Sequence, residues 1–552
     1  MRKRLLSLIL GAAMVMTMLA GCGSSSSGSA TAPTETTESS DTTEAADTSD
    51  ADAADETTAS SASLAEQAIA DRKAEAEKTG VYPKVVFAFY TWTGEPAGTK
   101  RVQEKICEYT RETLGLDVEL LVQDSASYAQ NVRLMLSSGE QIDIFNSCPL
   151  GFTATVNDGY CYDLEQDELI QTYGSGILDT IKDTYVNGCR VSGTLYGLPD
   201  MRDMAISPAT FLIAQEYLDG IGYDYESQYQ DGEQIVHCDF SDITDIFAQL
   251  HEKYPDKDVF APGDNLINQG SKVDLLGRDN FGVLLDPANS LTVENLFTSD
   301  VFYDRCKMVY DWNQAGYISQ DSLTDDTAIS TRVKAGSCMS MMAAGKPGYK
   351  TQADGENGRS MILFQCEDNI MKSDCITNIC WHINQGTEDP VAAMQLLNAM
   401  YTDPVLSNLL IWGEEDVDYV ETEDGHIKFP DGVDANNAEY YHTMNWLMPN
   451  QFIAHIWEGD PLDLWDQMEE FNNSAPTSKA LGFAFDNSEY AAEYAALTNI
   501  YDEYIKQLMF GFLDPDVGIP EMEERMEAAG LNEYIAAKQK ALDEWAAANG
   551  VK

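Results

Sequence analysis

Residues 85–89 read Val85-Val86-Phe87-Ala88-Phe89, an unbroken apolar run. Two valines and two phenylalanines in five positions suit a strand covered on both faces. Working outward, Tyr90-Thr91-Trp92-Thr93-Gly94 leaves the strand as a loop, and residues 98–114 carry a helix. Residues 117–122 give a second strand. A helix over 128–136 puts Val132, Met135 and Leu136 on one side. Residues 142–145 give a third strand, closed by Asn146, Ser147, Cys148 and Pro149. Strand–helix–strand–helix–strand with short links predicts a parallel α/β sheet. Ligands of such sheets sit beyond the carboxyl ends of the strands, which here are 90–93 and 146–149.

Upstream, Ser63 and Glu66 are spaced as a capping box, opening a helix to Lys78 that Gly80 closes. Downstream, residues 193–199 read as a tight hairpin, and helical stretches follow at 241–254, 302–316 and 390–401. A tract of aromatics and turns begins near Trp412. The last part is largely helical, over 489–512, 520–529 and 533–547, with Gly530 suited to a helix stop.

The N-terminus carries different information. Arg2, Lys3 and Arg4 precede an apolar stretch from Leu5 to Leu19, which ends in Leu19-Ala20-Gly21-Cys22. A basic start, a short apolar run and small residues before a cut make a secretory signal over 1–21. The cysteine after Leu-Ala-Gly resembles the lipobox of bacterial lipoproteins, which implies lipidation of Cys22. Apart from Cys22 and Pro33, residues 22–63 are Ser, Thr, Ala, Gly and acids, with no Lys, Arg or aromatic. Such a segment buries too little apolar surface to order itself, and reads as a disordered tether reaching about 35 Å.

The 552 residues leave enough chain for two or more domains. A net charge of −58, from 34 basic and 92 acidic residues, repels phosphate backbones and anionic headgroups. Nucleic acid is therefore excluded as a partner, and lipid on Cys22 rather than a basic patch is the expected membrane contact. The 11 cysteines are scattered without a CxxC pair, so neither a zinc knuckle nor any particular bridge follows. No HExxH, GxSxG, P-loop or GxGxxG is found, and 416–425 misses the EF-hand register; no cofactor or metal is implied. With 92 acids, carboxylate pairs alone carry no weight for glycoside hydrolysis.

The order of the segments resembles the extracellular solute-binding proteins of ABC importers, family 1, the sugar-type class. The resemblance rests on "LMLSSGEQIDIF" (134–145), "GTLYGLPDMRD" (193–203), "VKAGSCMSMMAAGKPG" (333–348) and "DPVAAMQLLNAMYTDP" (389–404). From about 408 onward the chain is similar to the C-terminal extension, of unassigned function, in a lipoprotein subgroup. The resemblance implies a two-lobed, type II periplasmic-binding-protein-like α/β fold with a helical C-terminal part. Lobe 1 would comprise 82–205 and about 373–408, lobe 2 about 206–372 and 409–480, and the extension 481–552. It further implies a monomeric, lipid-anchored receptor on the outer face of a bacterial membrane. That receptor would capture a small polar solute, most of all an oligosaccharide, and pass it to permease subunits without chemistry.

Sugars present an apolar face and an edge of hydroxyls, so aromatic platforms paired with carboxylates, amides and Arg are sought. The expected ligand residues are Tyr90, Trp92, Asn146, Ser147, Asp200, Met201, Arg202, Trp381 and Trp412, with Asp203, Trp446 and Trp457 beside them. The competing expectations are a surface glycoside hydrolase and an adhesion lipoprotein.

Overall fold

Strand β1 (Lys84–Thr91) is buried at every position after Lys84, as an interior strand of a sheet covered on both faces must be. The computed structural model describes residues 50–552 apart from 93, 230–233, 264–265, 278 and 436. The signal segment, Cys22 and most of the acidic tether therefore lie outside the described residues. Helix α1 (Asp50–Thr79) runs through Ser63 and Glu66, so the expected capping box does not start it. Gly80, with φ of 72°, ends it as expected. Arg72 ties α1 to the fold by donating to the carbonyl of Leu114 at 3.2 Å.

Lobe 1 continues with α2 (Thr99–Thr113), β2 (Asp117–Asp124), α3 (Ser125–Ser138) and β3 (Ile144–Asn146). On α2, Val102, Ile106 and Thr110 are buried at helical spacing. Asp124 caps α3 by accepting from the Ala126 N–H at 2.9 Å. β2 and β3 flank β1 in parallel. The chain then reaches a first crossing at β4 (Leu198–Pro199) and enters lobe 2.

Lobe 2 holds β5 (Ser207–Ala214), β6 (Ile235–His237), α4 (Phe240–Lys253), β7 (Asp258–Phe260), α5 (Asp300–Gln314), β8 (Cys338–Gly345), α6 (Tyr349–Asn357) and β9 (Met361–Gln365). Its five-stranded sheet runs β6-β9-β5-β8-β7. Phe211, Phe247, Phe260 and Trp312 meet edge to face or tilted at its centre, with centroids 4.8–6.2 Å apart. A returning crossing, residues 366–379, leads to β10 (Cys380–Ile383), which completes the lobe 1 sheet as β2-β1-β3-β10-β4.

Helices α7 (Pro390–Thr402) and α8 (Pro404–Trp412) cover that sheet, and α9 (Leu464–Ser474) follows a long irregular excursion. The expectation that 409–480 belongs to lobe 2 is corrected here. Leu410, Ile411, Tyr440, Met444, Leu447, Phe471 and Ala475 share the buried core of lobe 1. Gly413, at φ 87°, starts the excursion in a turn where a Cβ would lie 2.3 Å from Asp418 Oδ2. Arg101 of α2 clamps the same turn, donating to Asp418 at 2.7 and 2.9 Å and to Glu414 at 3.1 Å.

A third crossing pairs with the second: Met371 donates to Pro476 O at 2.9 Å and Ser478 to Met371 O at 2.8 Å. The C-terminal helices α10 (Ala491–Met509), α11 (Pro515–Ala528) and α12 (Leu531–Asn549) then pack on lobe 2. Helix α11 begins five residues before the expected start, with Pro515 in its first turn behind the Asp514 cap, and carries Pro520 inside it. Gly530, at φ 100°, precedes α12 as its N-cap.

Candidate functional site

The first and second crossings and lobe 2 enclose a cavity of about 140 Å³. Arg202 and Met204 line it from the first crossing, Asn268, Gln269 and Ala344 from lobe 2, and Lys372, Asp374 and Asn378 from the second. Its walls thus come from lobe 2 and from two of the crossings, and are rich in amides and charges.

Asn472 of α9 sets the first crossing. Its Oδ1 accepts from the Met204 and Ala205 N–H groups at 2.7 and 3.0 Å, and its Nδ2 donates to Arg202 O at 2.8 Å. Arg202 is nearly buried and donates to the Cys375 carbonyl at 3.2 Å. Asp203 reaches across to Lys346, just past β8, at 3.1 Å. Arg202 Nε lies 3.3 Å from Asp200 Oδ1, an ion-pair distance, but neither Asp200 oxygen is aligned with a hydrogen-bond donor among the described residues. Burial pushes the Asp200 carboxyl up to about 8, opposed by the Arg202 charge and helped by Asp203. Burial likewise pushes Lys372 down to about 8, against Asp274 and Asp374. Lys372 donates to Asn268 O at 2.5 Å, tying the second crossing to lobe 2.

The expected ligand residues separate by depth. Arg202 lines the cavity. Trp92, 55% exposed, stands at the end of β1, its ring 6.2 Å from that of Trp446. Met201 pairs its backbone with Pro449 and Gln451. Tyr90 is buried and donates to Cys148 Sγ at 3.4 Å. Asn146, Ser147 and Asp200 are fully buried beneath the carboxyl end of the sheet, with no surface for a ligand in this structure. Asn146 Oδ1 accepts from Cys148 N–H at 2.7 Å, which is the turn-capping role open to an Asn there.

Trp381 is corrected outright. It is fully buried, stacked on Phe87 at 4.5 Å, and donates to Leu447 O at 3.2 Å. It sits opposite Asn146 in the antiparallel pair with β3, and alternation turns its ring into the core. Trp412 and Trp457 meet at 5.3 Å, and Phe429 and Tyr441 close around Trp457. This group lies in the excursion attached to lobe 1, not in lobe 2.

Asn268, Gln269, Lys346, Lys372, Asp374 and Asn378 were not singled out from sequence. They sit in irregular segments or just beyond a strand, with no motif to mark them. The one available signal is position, since 372–378 adjoin the expected boundary between the lobes. Among the described residues, no group of three or more His, Cys, Asp or Glu is placed to hold a metal.

Residues 479–547 match a family described as "Domain of unknown function (DUF3502)". A "Carbohydrate ABC transporter substrate-binding protein" of Streptococcus pneumoniae serotype 4 is 23% identical over 467 residues, covering 84% of this chain and 91% of that protein. The N-glycan transport solute binding protein NgtS of Streptococcus pneumoniae superposes with a TM-score of 0.74 at 21% identity, covering 84% of this chain and 98% of that one. The S. pneumoniae substrate binding protein FusA, solved in complex with kestose, gives 0.57 at 12% identity, covering 84% and 99%. The chain thus has the two-lobed α/β fold seen in these solved solute-binding proteins, and in sequence it resembles a carbohydrate ABC transporter substrate-binding protein.

Proposed function

We propose that the chain is the lipid-anchored receptor subunit of an ABC importer. It captures an oligosaccharide between its lobes and hands it, intact, to permease subunits. The observation that carries this reading is the cavity at the crossings, walled by lobe 2 and by two of the connections between the lobes. A ligand that touches both sides stabilises the closed arrangement of the lobes, because only there are both sets of contacts made. Asn268, Gln269, Asn378 and Arg202 supply donors and acceptors for hydroxyl edges. Trp92 and Trp446 offer aromatic faces for sugar rings at the cleft edge of lobe 1. The relatives that bind carbohydrates or are named for carbohydrate transport support the ligand class and the absence of catalysis. The basic and apolar N-terminus ending in Leu19-Ala20-Gly21-Cys22 supports export and anchoring through lipid on Cys22.

The test is a thermal-shift screen of residues 63–552 against mono- and oligosaccharides, with product analysis on every hit. An oligosaccharide at about 100 times its Kd raises stability by about 2.7 kcal/mol and is recovered intact. Cleavage of the sugar would overturn the receptor reading in favour of a hydrolase. A response to monosaccharides or peptides alone would overturn the ligand class.

A further inference from the structure

A cysteine pair stands at each end of the second crossing. At the lobe 2 end, Cys366 follows β9 and Cys238 follows β6, two parallel neighbours that place Gln365 opposite His237. The Cys238 N–H donates to Gln365 O at 3.0 Å, which sets the two backbones side by side. The two sulfurs are 3.4 Å apart. At the lobe 1 end, the sulfurs of Cys189 and Cys380 are 3.5 Å apart and fully buried. The pairs differ in access, because Cys238 and Cys366 are only half-buried. Both are free thiols in this structure. A bonded pair needs about 2.05 Å between sulfurs, so the sulfurs must move by a distance on the order of 1 Å. A chain with an export signal meets disulfide-exchange chemistry after it leaves the cytoplasm.

We propose that Cys238 and Cys366 are oxidised to a disulfide in the exported protein, fastening the lobe 2 end of the second crossing. The oxidant is a low-molecular-weight disulfide. The Cys238 thiolate attacks one of its sulfurs, forming a mixed disulfide and expelling one thiolate. Cys366 then loses its proton to solvent, attacks the Cys238 sulfur and expels the second thiolate. Two protein thiols are oxidised by two electrons in all, and the external disulfide is reduced to two thiols. The hydrogen bond with Cys238, together with burial, holds the Cys366 thiol well above its usual range, which leaves the first attack to Cys238. The bond joins residues 128 positions apart, so it constrains a long stretch of the unfolded chain.

The experiment uses residues 23–552, purified reduced, exposed to oxidised glutathione, blocked with iodoacetamide and digested without reduction. The expected product joins the Cys238 and Cys366 peptides at a mass about 2 Da below their sum. Its unfolding midpoint rises over the reduced form, and C238S or C366S abolishes both the joined peptide and the rise. Wild-type mapping decides the matter even where a serine variant folds poorly. Recovery of Cys238 and Cys366 both alkylated or both glutathionylated, or of either joined to another cysteine, would overturn the proposal.

Discussion

The two lobes are finished in different ways. Each has a five-stranded sheet that cannot bury both faces with its own helices. Lobe 1 recruits α7, α8 and the excursion through α9, all reached after the second crossing. Lobe 2 recruits α10, α11 and α12, reached after the third. Leu497, Leu508, Met522, Met526, Leu531 and Tyr534 are all fully or almost fully buried there. The region matching a family of unknown function is thus mostly the missing layer of lobe 2. Each lobe depends on chain that lies beyond its partner in sequence, so the lobes are interlocked, and the crossings between them wall the cavity.

The largest test of this contrast is truncation. A chain ended at residue 485 loses the whole third layer of lobe 2 and is expected to lose cooperative unfolding, while lobe 1 keeps its core. A truncated chain that melts as the full one does would break the comparison.

Next is the buried ion pair that fastens that layer. Lys538 of α12 is fully buried and sits 2.5 Å from Asp279, with Tyr534 donating to the same carboxylate at 2.8 Å. Burial lowers Lys538 and the Asp279 charge resists that. Lys538→Ala leaves a carboxylate without its partner and is expected to cost about 3–5 kcal/mol by denaturant unfolding. Lys538→Met with Asp279→Asn together should recover much of that loss. The lobe 1 counterpart is the Arg101 clamp on Asp418, which is partly exposed. Arg101→Ala is expected to cost less, about 1–3 kcal/mol.

Asp200 lies between the lobes and predicts a pH effect. Its folded value is raised to about 8, above the unfolded carboxylate. Its protonated form is the one the fold favours, so stability from this group is full below about pH 4 and is lost as pH rises through about 8. Asp200→Asn is therefore expected to gain on wild type by up to about 1.4 kcal/mol per pH unit between pH 5 and 8. Melting curves that stay parallel over that range would contradict the assignment.

Much of lobe 1 was legible because its signals are local. The apolar run at 85–89, the strand at 117–122 and the helix after Asp124 each carry their own period or cap. The ring direction of Trp381 was not legible, since it depends on which strand β10 pairs with and in what register. Nor was the lobe of the 409–480 tract, whose aromatics have no period and are placed by distant contacts such as the Arg101 clamp. The cavity residues Asn268, Gln269 and Asn378 sit in irregular chain, where sequence carries no spacing rule.

The smallest stability effect is expected at Trp92, whose side chain is mostly in solvent. Trp92→Ala should leave unfolding within about 0.5 kcal/mol of wild type, while weakening oligosaccharide binding about tenfold by calorimetry. Trp381→Ala should do the reverse, costing about 3–5 kcal/mol through the cavity left in the lobe 1 core.

Capture between the lobes requires them to close on the sugar. Small-angle X-ray scattering of residues 63–552, with and without an oligosaccharide that raises the melting point, tests it most directly. A smaller radius of gyration with the sugar bound, and the sugar recovered whole, is the expected result. An unchanged radius with saturating sugar, or a cleaved one, would contradict it.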